Sequence, residues 1–125
     1  MLATADVIAF VATTNLERAR AFYEGVLGLR VIEDDGFALA FDAHGTMLRV
    51  TGVSELTPAP NTVLGWSVAA IAAAVRDLQA RGVGFARYDG FEQDEQGIWT
   101  APSGARVAWF SDPDGNTLSL TQLPR

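Results

Sequence analysis

The 125-residue chain contains no cysteine, no lysine and a single histidine. Without cysteine it can form neither disulfides nor thiolate metal sites, and no cysteine can serve as a nucleophile, while the redox compartment stays open. Without lysine, Schiff-base chemistry on a side-chain amine is excluded. Positive charge rests on nine arginines set against 15 acidic residues, a net charge of −6. With a pI near 4.5, the chain lacks the clustered cations that neutralise phosphates, so nucleic acid is not expected as a partner. The uncharged stretch Val63–Val75 is too short to span a bilayer and contains a strand-to-helix switch. The amino terminus lacks a basic region and places Asp6 ahead of any long apolar run, unlike a secretory signal. A composition of 49% apolar and 19% charged residues separates the chain from disordered and fibrous classes. A cytoplasmic globular protein with no membrane partner is the expectation.

What the chain does have is an internal repeat. Phe41–Thr51 reads FDAHGTMLRVT and Phe110–Thr121 reads FSDPDGNTLSLT, each an aromatic strand end, a turn and a returning strand. Upstream, Ile8 and Val63 stand 55 positions apart, as do Leu16 and Ile71, and Gly28 and Gly84 stand 56 apart, whereas Phe41 and Phe110 stand 69 apart, 13 more than the glycines. About 13 extra residues therefore enter the second copy between Gly84 and Phe110, within the run DGFEQDEQGIWTAPSG. Two copies are too few for a solenoid. Half of a 125-residue chain buries too little apolar surface to be secure alone, so the copies are expected to form one compact structural unit.

Leu16, Ala19, Phe22, Tyr23, Val26 and Leu27 follow helical spacing, with Asn15 as N-cap and Gly28 as stop. Ile71, Val75 and Leu78 predict a second helix ending at Arg81-Gly82. Strand-type runs follow at 29–33, 37–41, 46–51, 85–88, 105–110 and 117–122, so each copy reads strand, helix, three strands. The modules are assigned to 1–53 and 62–125, joined by the proline-bearing linker 54–61.

Strand side chains alternate between faces. Leu48 and Val50 oppose Met47, Arg49 and Thr51, and Leu118 and Leu120 oppose Thr117, Ser119 and Thr121. The leucine faces should pack on the helices. The mixed faces are then left to line a concave side where a ligand could bind. By the repeat, that side also receives Ile8, Phe10 and Ala12, then Val63, Gly65 and Ser67, and then Val107 and Trp109. Trp66 has the opposite parity and is expected in the core.

This order, with NLERARAFYEGVLGLRV near the start and WFSDPDGNTLSL near the end, resembles the vicinal oxygen chelate superfamily, which holds glyoxalase I, extradiol dioxygenases and bleomycin-resistance proteins. The resemblance covers essentially the whole chain. It implies an α+β fold in which two βαβββ modules form a partly open mixed-sheet barrel around a cleft, with the helices outside and a homodimer as the assembly. The fold alone does not specify a chemistry.

Family enzymes hold a divalent metal with His and Glu side chains from the first and last strands of each module. Carried over by the repeat, those positions are Ile8, Arg49, Val63 and Ser119. Two aliphatics, a guanidinium and a hydroxyl do not make a metal site, so neither a metal nor another cofactor is expected. The single histidine, His44, falls in the first hairpin turn and reads as an exposed turn residue. The run Asp112–Asn116 reads as a turn rather than a calcium loop, because the remaining ligands are missing.

Arg49 must find a partner to offset its desolvation. An internal ion pair with an acidic residue such as Asp42, Glu92 or Asp94 and an anchor for an anionic or carbonyl-bearing ligand are both open. Phe10 and Trp109 would wall the site, with Met47 and Ser119 on the same faces. Trp99 and Phe91 lie in the inserted loop, whose length and acidity suit a lid or a dimer contact. Tyr88 and Arg106 rank second. The leading functional expectation is a metal-independent small-molecule binder of the glyoxalase/bleomycin-resistance type. A metal-free lyase or isomerase, using Arg49 with Glu92, Asp94 or Glu95, is the alternative, and a metal-dependent glyoxalase or dioxygenase a weaker one.

Overall fold

The computed structural model describes residues 1–125. The chain divides into two compact units, Met1–Thr57 and Pro58–Arg125, and the boundary falls inside the stretch 54–61 assigned as a linker.

In the first unit, β1 (Ile8–Thr13) leads into α1 (Leu16–Arg20), followed by β2 (Arg30–Asp34), β3 (Ala38–Ala43) and β4 (Thr46–Gly52). Asn15 caps α1, its side chain accepting from the Arg18 N–H at 3.0 Å, which satisfies one of the orphan donors of the first turn. The helix does not stay α-helical through Leu27. From Ala21 to Val26 it widens into a π-helical turn, in which the Leu27 N–H reaches the Phe22 carbonyl at 2.9 Å. The apolar spacing survives that change. Ala19 and Tyr23 are fully covered, and the Tyr23 ring lies 5.9 Å from that of Phe41 on β3.

The sheet order is β1-β4-β3-β2, with β1 parallel to β4 and β3 antiparallel to it. Leu39, Phe41, Leu48 and Val50 are all at most 2% exposed, so the helix-facing side is the hydrophobic core of this unit. Each such side chain contributes roughly 1.5–3 kcal/mol on leaving water.

The second unit repeats the plan with β5 (Thr62–Ser67), α2 (Ile71–Ala80), β6 (Trp99–Thr100), β7 (Arg106–Ser111) and β8 (Thr117–Gln122). Its sheet order, β5-β8-β7-β6, matches the first. Ala108, Phe110, Leu118 and Leu120 form the helix-facing core, where Trp66 stacks on Phe110 at 6.3 Å, the side its parity predicts. Helix α2 stops in a Schellman arrangement, with Val83 N–H to the Leu78 carbonyl and Gly82 N–H to the Gln79 carbonyl, both at 3.0 Å. That turn needs the left-handed φ of +92° at Gly82, which glycine adopts without steric cost. Neither four-stranded mixed sheet closes into a barrel.

One strand is misplaced by sequence. Residues 85–88 form no strand and make only a bridge from Phe85 to Phe110 and an Ala86 N–H bond to the Trp109 carbonyl at 2.8 Å. The outer edge of β7 is shared. Its first residues pair instead with Trp99 and Thr100, so the inserted segment takes backbone groups that the extended run 85–88 would otherwise use.

Candidate functional site

On the face of the second sheet opposite α2, the insertion assembles four aromatic rings. Trp109 projects from β7, Trp99 from β6, and Tyr88 and Phe91 from the connecting segment. Phe91 meets Trp99 edge-on at 4.9 Å and Trp109 at 5.5 Å. Tyr88 meets Trp109 edge-on at 5.4 Å, and the two tryptophans lie 6.1 Å apart at 33°. Edge-to-face and offset pairs at such distances contribute about 0.5–1.5 kcal/mol each beyond burial. The cluster is not a closed core, because Tyr88 is 39% and Phe91 43% exposed.

Two open recesses adjoin the rings. One, of about 310 Å³, is lined by Pro60, Asn61, Thr62, Tyr88, Phe91, Trp109 and Thr117. The other, of about 530 Å³, runs past Trp99 and is edged by Glu92, Asp94 and Pro102. Phe91 therefore lines the smaller hollow, and Trp99 the one edged by carboxylates.

The loop is held by its own polar side chains. Gln93 accepts from the Tyr88 N–H at 2.8 Å and donates to the carbonyls of Ala86 at 2.9 Å and Gly97 at 2.8 Å. Asp94 Oδ1 accepts from the backbone N–H groups of Gln96 and Ile98, both at 2.9 Å. Gln96 reaches the Ala72 carbonyl on α2 at 3.1 Å. Neither glutamine was singled out by sequence. A side-chain amide bonding to backbone leaves no periodic or compositional trace.

Ser119 lies on the same sheet face, directly across from Trp109, and is 7% exposed. Its other neighbour is Gly65 on β5. A Cβ placed on Gly65 would come within 2.7 Å of the Ser119 hydroxyl and 3.3 Å of its carbonyl, so a side chain at 65 would have to displace the Ser119 hydroxyl. Arg106 shares the parity of Ala108 and Phe110 and is therefore directed away from this face.

In the first unit, Arg49 occupies the position on β4 that Ser119 occupies on β8. It lies between Phe10 on β1 and Ala40 on β3, and its side chain is 30% exposed. An acidic side chain does stand beside it, but it is none of Asp42, Glu92 and Asp94. The partner is Asp35, in the β2–β3 turn, at 3.8 Å. Asp42 instead pairs with Arg30 at 3.2 Å, and the Asp94 carboxylate is engaged by its own loop. Asp35 Oδ1 accepts from the Phe37 and Ala38 N–H groups, both at 2.9 Å. These bonds, followed by the nearby Arg49 charge, hold its carboxyl below the ordinary value. Phe10, 62% exposed, and Met47 share the face with Arg49.

The predicted site residues thus fall into two groups: Phe91, Trp99, Trp109 and Ser119 in the second unit, and Phe10, Met47 and Arg49 in the first. At the positions the resemblance assigns to metal ligands, Ile8, Arg49, Val63 and Ser119 offer no carboxylate or imidazole, and no group of three or more His, Asp or Glu side chains comes together anywhere. A divalent cation does not fit that donor set. His44 is an exposed turn residue with φ +52°. Asp112 folds its own turn, accepting from Asp114 N–H at 3.0 Å and Asn116 N–H at 2.9 Å. No helix is long and apolar enough to cross a membrane.

Residues 4–120 match the family described as Glyoxalase/Bleomycin resistance protein/Dioxygenase superfamily, and the chain belongs to it. No curated protein matches the sequence. Among solved structures, a protein described as of the glyoxalase family from Bacillus anthracis is 18% identical with a TM-score of 0.75, covering 97% of this chain and 96% of its own. A glyoxalase/bleomycin resistance protein/dioxygenase from Alicyclobacillus acidocaldarius is 15% identical with a TM-score of 0.74, covering 98% and 93%. TioX from Micromonospora sp. ML1 is 17% identical with a TM-score of 0.71, covering 96% and 99%. At these identities the likeness establishes the fold.

Proposed function

We propose that the chain is a metal-independent small-molecule-binding protein whose second unit takes a planar, ring-bearing ligand against Phe91, Trp99 and Trp109, with Ser119 beside them. The observation that carries this reading is the four-ring cluster left half open beside a hollow of about 310 Å³. An aromatic ligand replaces water on the exposed faces of Tyr88 and Phe91, and ring stacking sets its orientation. The carboxylates of Glu92 and Asp94 at the neighbouring recess favour a neutral or cationic ligand over an anionic one. A metal-free lyase or isomerase is less well supported, since the Asp94 carboxylate, a candidate for its proton transfer, is committed to backbone donors. The assembly proposed is a homodimer, which sedimentation would register as twice the 13.3 kDa chain mass.

Tryptophan fluorescence tests the binding reading, because Trp99 and Trp109 are two of the three tryptophans. A panel of planar aromatic amines and neutral heteroaromatics should give saturable quenching for at least one member, unchanged by a chelator and lost in Trp109→Ala. Quenching by no member, or binding that appears only on adding Zn²⁺, Mn²⁺ or Fe²⁺, overturns it. Elemental analysis showing a stoichiometric metal in the purified protein would do the same.

A further inference from the structure

Arg49 is a half-buried guanidinium with few of its donors bonded within the chain. Its side chain is 30% exposed, yet its ionic partner Asp35 lies at 3.8 Å, beyond hydrogen-bonding distance for N–H···O. Asp35 cannot readily close that gap, because its other oxygen is fixed by the Phe37 and Ala38 N–H groups. A guanidinium carries five N–H donors in a planar fork, and no other acceptor in the chain is bonded to this one. Alongside it, the parallel partner on β1 is Phe10, 62% exposed, and one pleat away is Ile8, 46% exposed, paired with Met47. On the other flank the neighbour is Ala40, whose methyl group leaves the guanidinium uncrowded. A fork with free donors thus adjoins an uncovered apolar strip.

We propose that Arg49 and the Phe10–Ile8 strip form a binding subsite for a monoanionic carboxylate with an apolar body. The carboxylate receives two N–H donors from the fork, and the hydrocarbon part covers Phe10 and Ile8. A dianion is disfavoured by Asp35 beside the guanidinium and by the net charge of −6. This subsite lies in the first unit and stands independently of the ring-binding reading of the second.

Cyclohexanecarboxylate is a suitable probe, since it has no π-face to engage the aromatic cluster. Isothermal titration of the intact chain should show saturable binding, absent for the neutral cyclohexanecarboxamide. Arg49→Met should weaken it by about tenfold or more, the worth of a charged hydrogen-bonded pair. Arg49→Lys, which keeps the charge but loses the fork, should weaken it less, and it covers the case in which the methionine variant fails to fold. Asp35→Asn should tighten binding by removing a competing carboxylate, whereas Glu17→Gln, on the exposed face of α1, should leave it unchanged. The proposal is overturned if no saturable binding occurs, if both Arg49 variants bind as the wild type does, if the amide binds equally well, or if inorganic phosphate displaces the probe at equal concentration. Because the aromatic panel and Trp109→Ala report on the other unit, either reading can fail without the other.

Discussion

The side-chain amide of Gln93 accepts a hydrogen bond from the backbone N–H of Tyr88 at 2.8 Å, and the same amide donates to Ala86 and Gly97. One residue therefore joins the start of the inserted loop to its far side and fixes where the Tyr88 ring stands against Trp109.

Replacing Gln93 by Ala removes all three bonds and leaves partly buried backbone groups to find water. The expected loss is about 1–3 kcal/mol in urea unfolding, with a weakened near-ultraviolet dichroism from the disordered ring cluster. Gln93→Glu keeps the acceptor toward Tyr88 but sets a carboxylate oxygen against the Ala86 and Gly97 carbonyls, so it should lose at least as much stability as the alanine variant. Equal stability of all three would show that the loop is held by its aromatic contacts alone.

Helix α2 poses a related case. Its N-cap residue, Ala70, has no side-chain acceptor, and the Ile71 N–H is met instead by Gln122 Oε1 from the end of β8 at 2.9 Å. Gln122→Ala should cost about 1 kcal/mol, the usual worth of a lost cap, and should raise amide exchange selectively in the first turn of α2. Gln122→Glu retains an acceptor and adds a negative charge at the positive end of the helix dipole; it should match or exceed wild-type stability.

These two glutamines mark the boundary of what the sequence discloses. The helices, the Asn15 cap, the Gly82 stop and the leucine-bearing faces of β4 and β8 follow from local periods and turn chemistry, which act over a few residues. The repeat shows that Arg49 and Ser119 occupy matching places, and the paired registers Phe10–Arg49 and Gly65–Ser119 agree with that alignment. Gln122 acts on a backbone group 51 residues away in Ile71, Gln93 ties together an irregular loop, and Asp35, although its turn bonds to Phe37 and Ala38 are local, meets Arg49 only because the fold brings them near; no spacing rule reports such contacts. Residues 85–88 have strand composition, but competition for the edge of β7 decided against them, a tertiary effect that overrides propensity.

The Asp35 turn makes stability depend on acid. The folded-state pKa lies below the ordinary value of 3.8, so the stabilisation is fully present above that value and is lost as pH falls through the lower, folded-state value. Asp42 behaves in the same direction, held down first by the Gly45 N–H and then by Arg30. Urea midpoints measured between neutral pH and about pH 2.5 should decline most steeply below the ordinary aspartate range. Asp35→Asn should be less stable at neutral pH and decline less over the acid range, and the double variant with Asp42→Asn less still. Parallel curves for the wild type and Asp35→Asn would mean that the turn bonds form equally well with a neutral side chain.

The Gly65–Ser119 contact separates packing from binding at the second-unit site. An added methyl at 65 would lie 2.7 Å from the Ser119 hydroxyl and 3.3 Å from its carbonyl. Gly65→Ala should therefore force β5 and β8 apart or drive Ser119 from its rotamer, at about 1–3 kcal/mol for overpacking. Ser119→Ala removes the nearer of the two atoms, so the double variant Gly65→Ala, Ser119→Ala should recover much of that loss, a coupling that a double-mutant cycle reads directly. Additive losses would place the strain in the backbone instead. If Ser119→Ala alone leaves stability near wild type while weakening quenching by an aromatic ligand, the hydroxyl serves the ligand rather than the fold. If quenching is unchanged, the rings of Phe91, Trp99 and Trp109 bind without it.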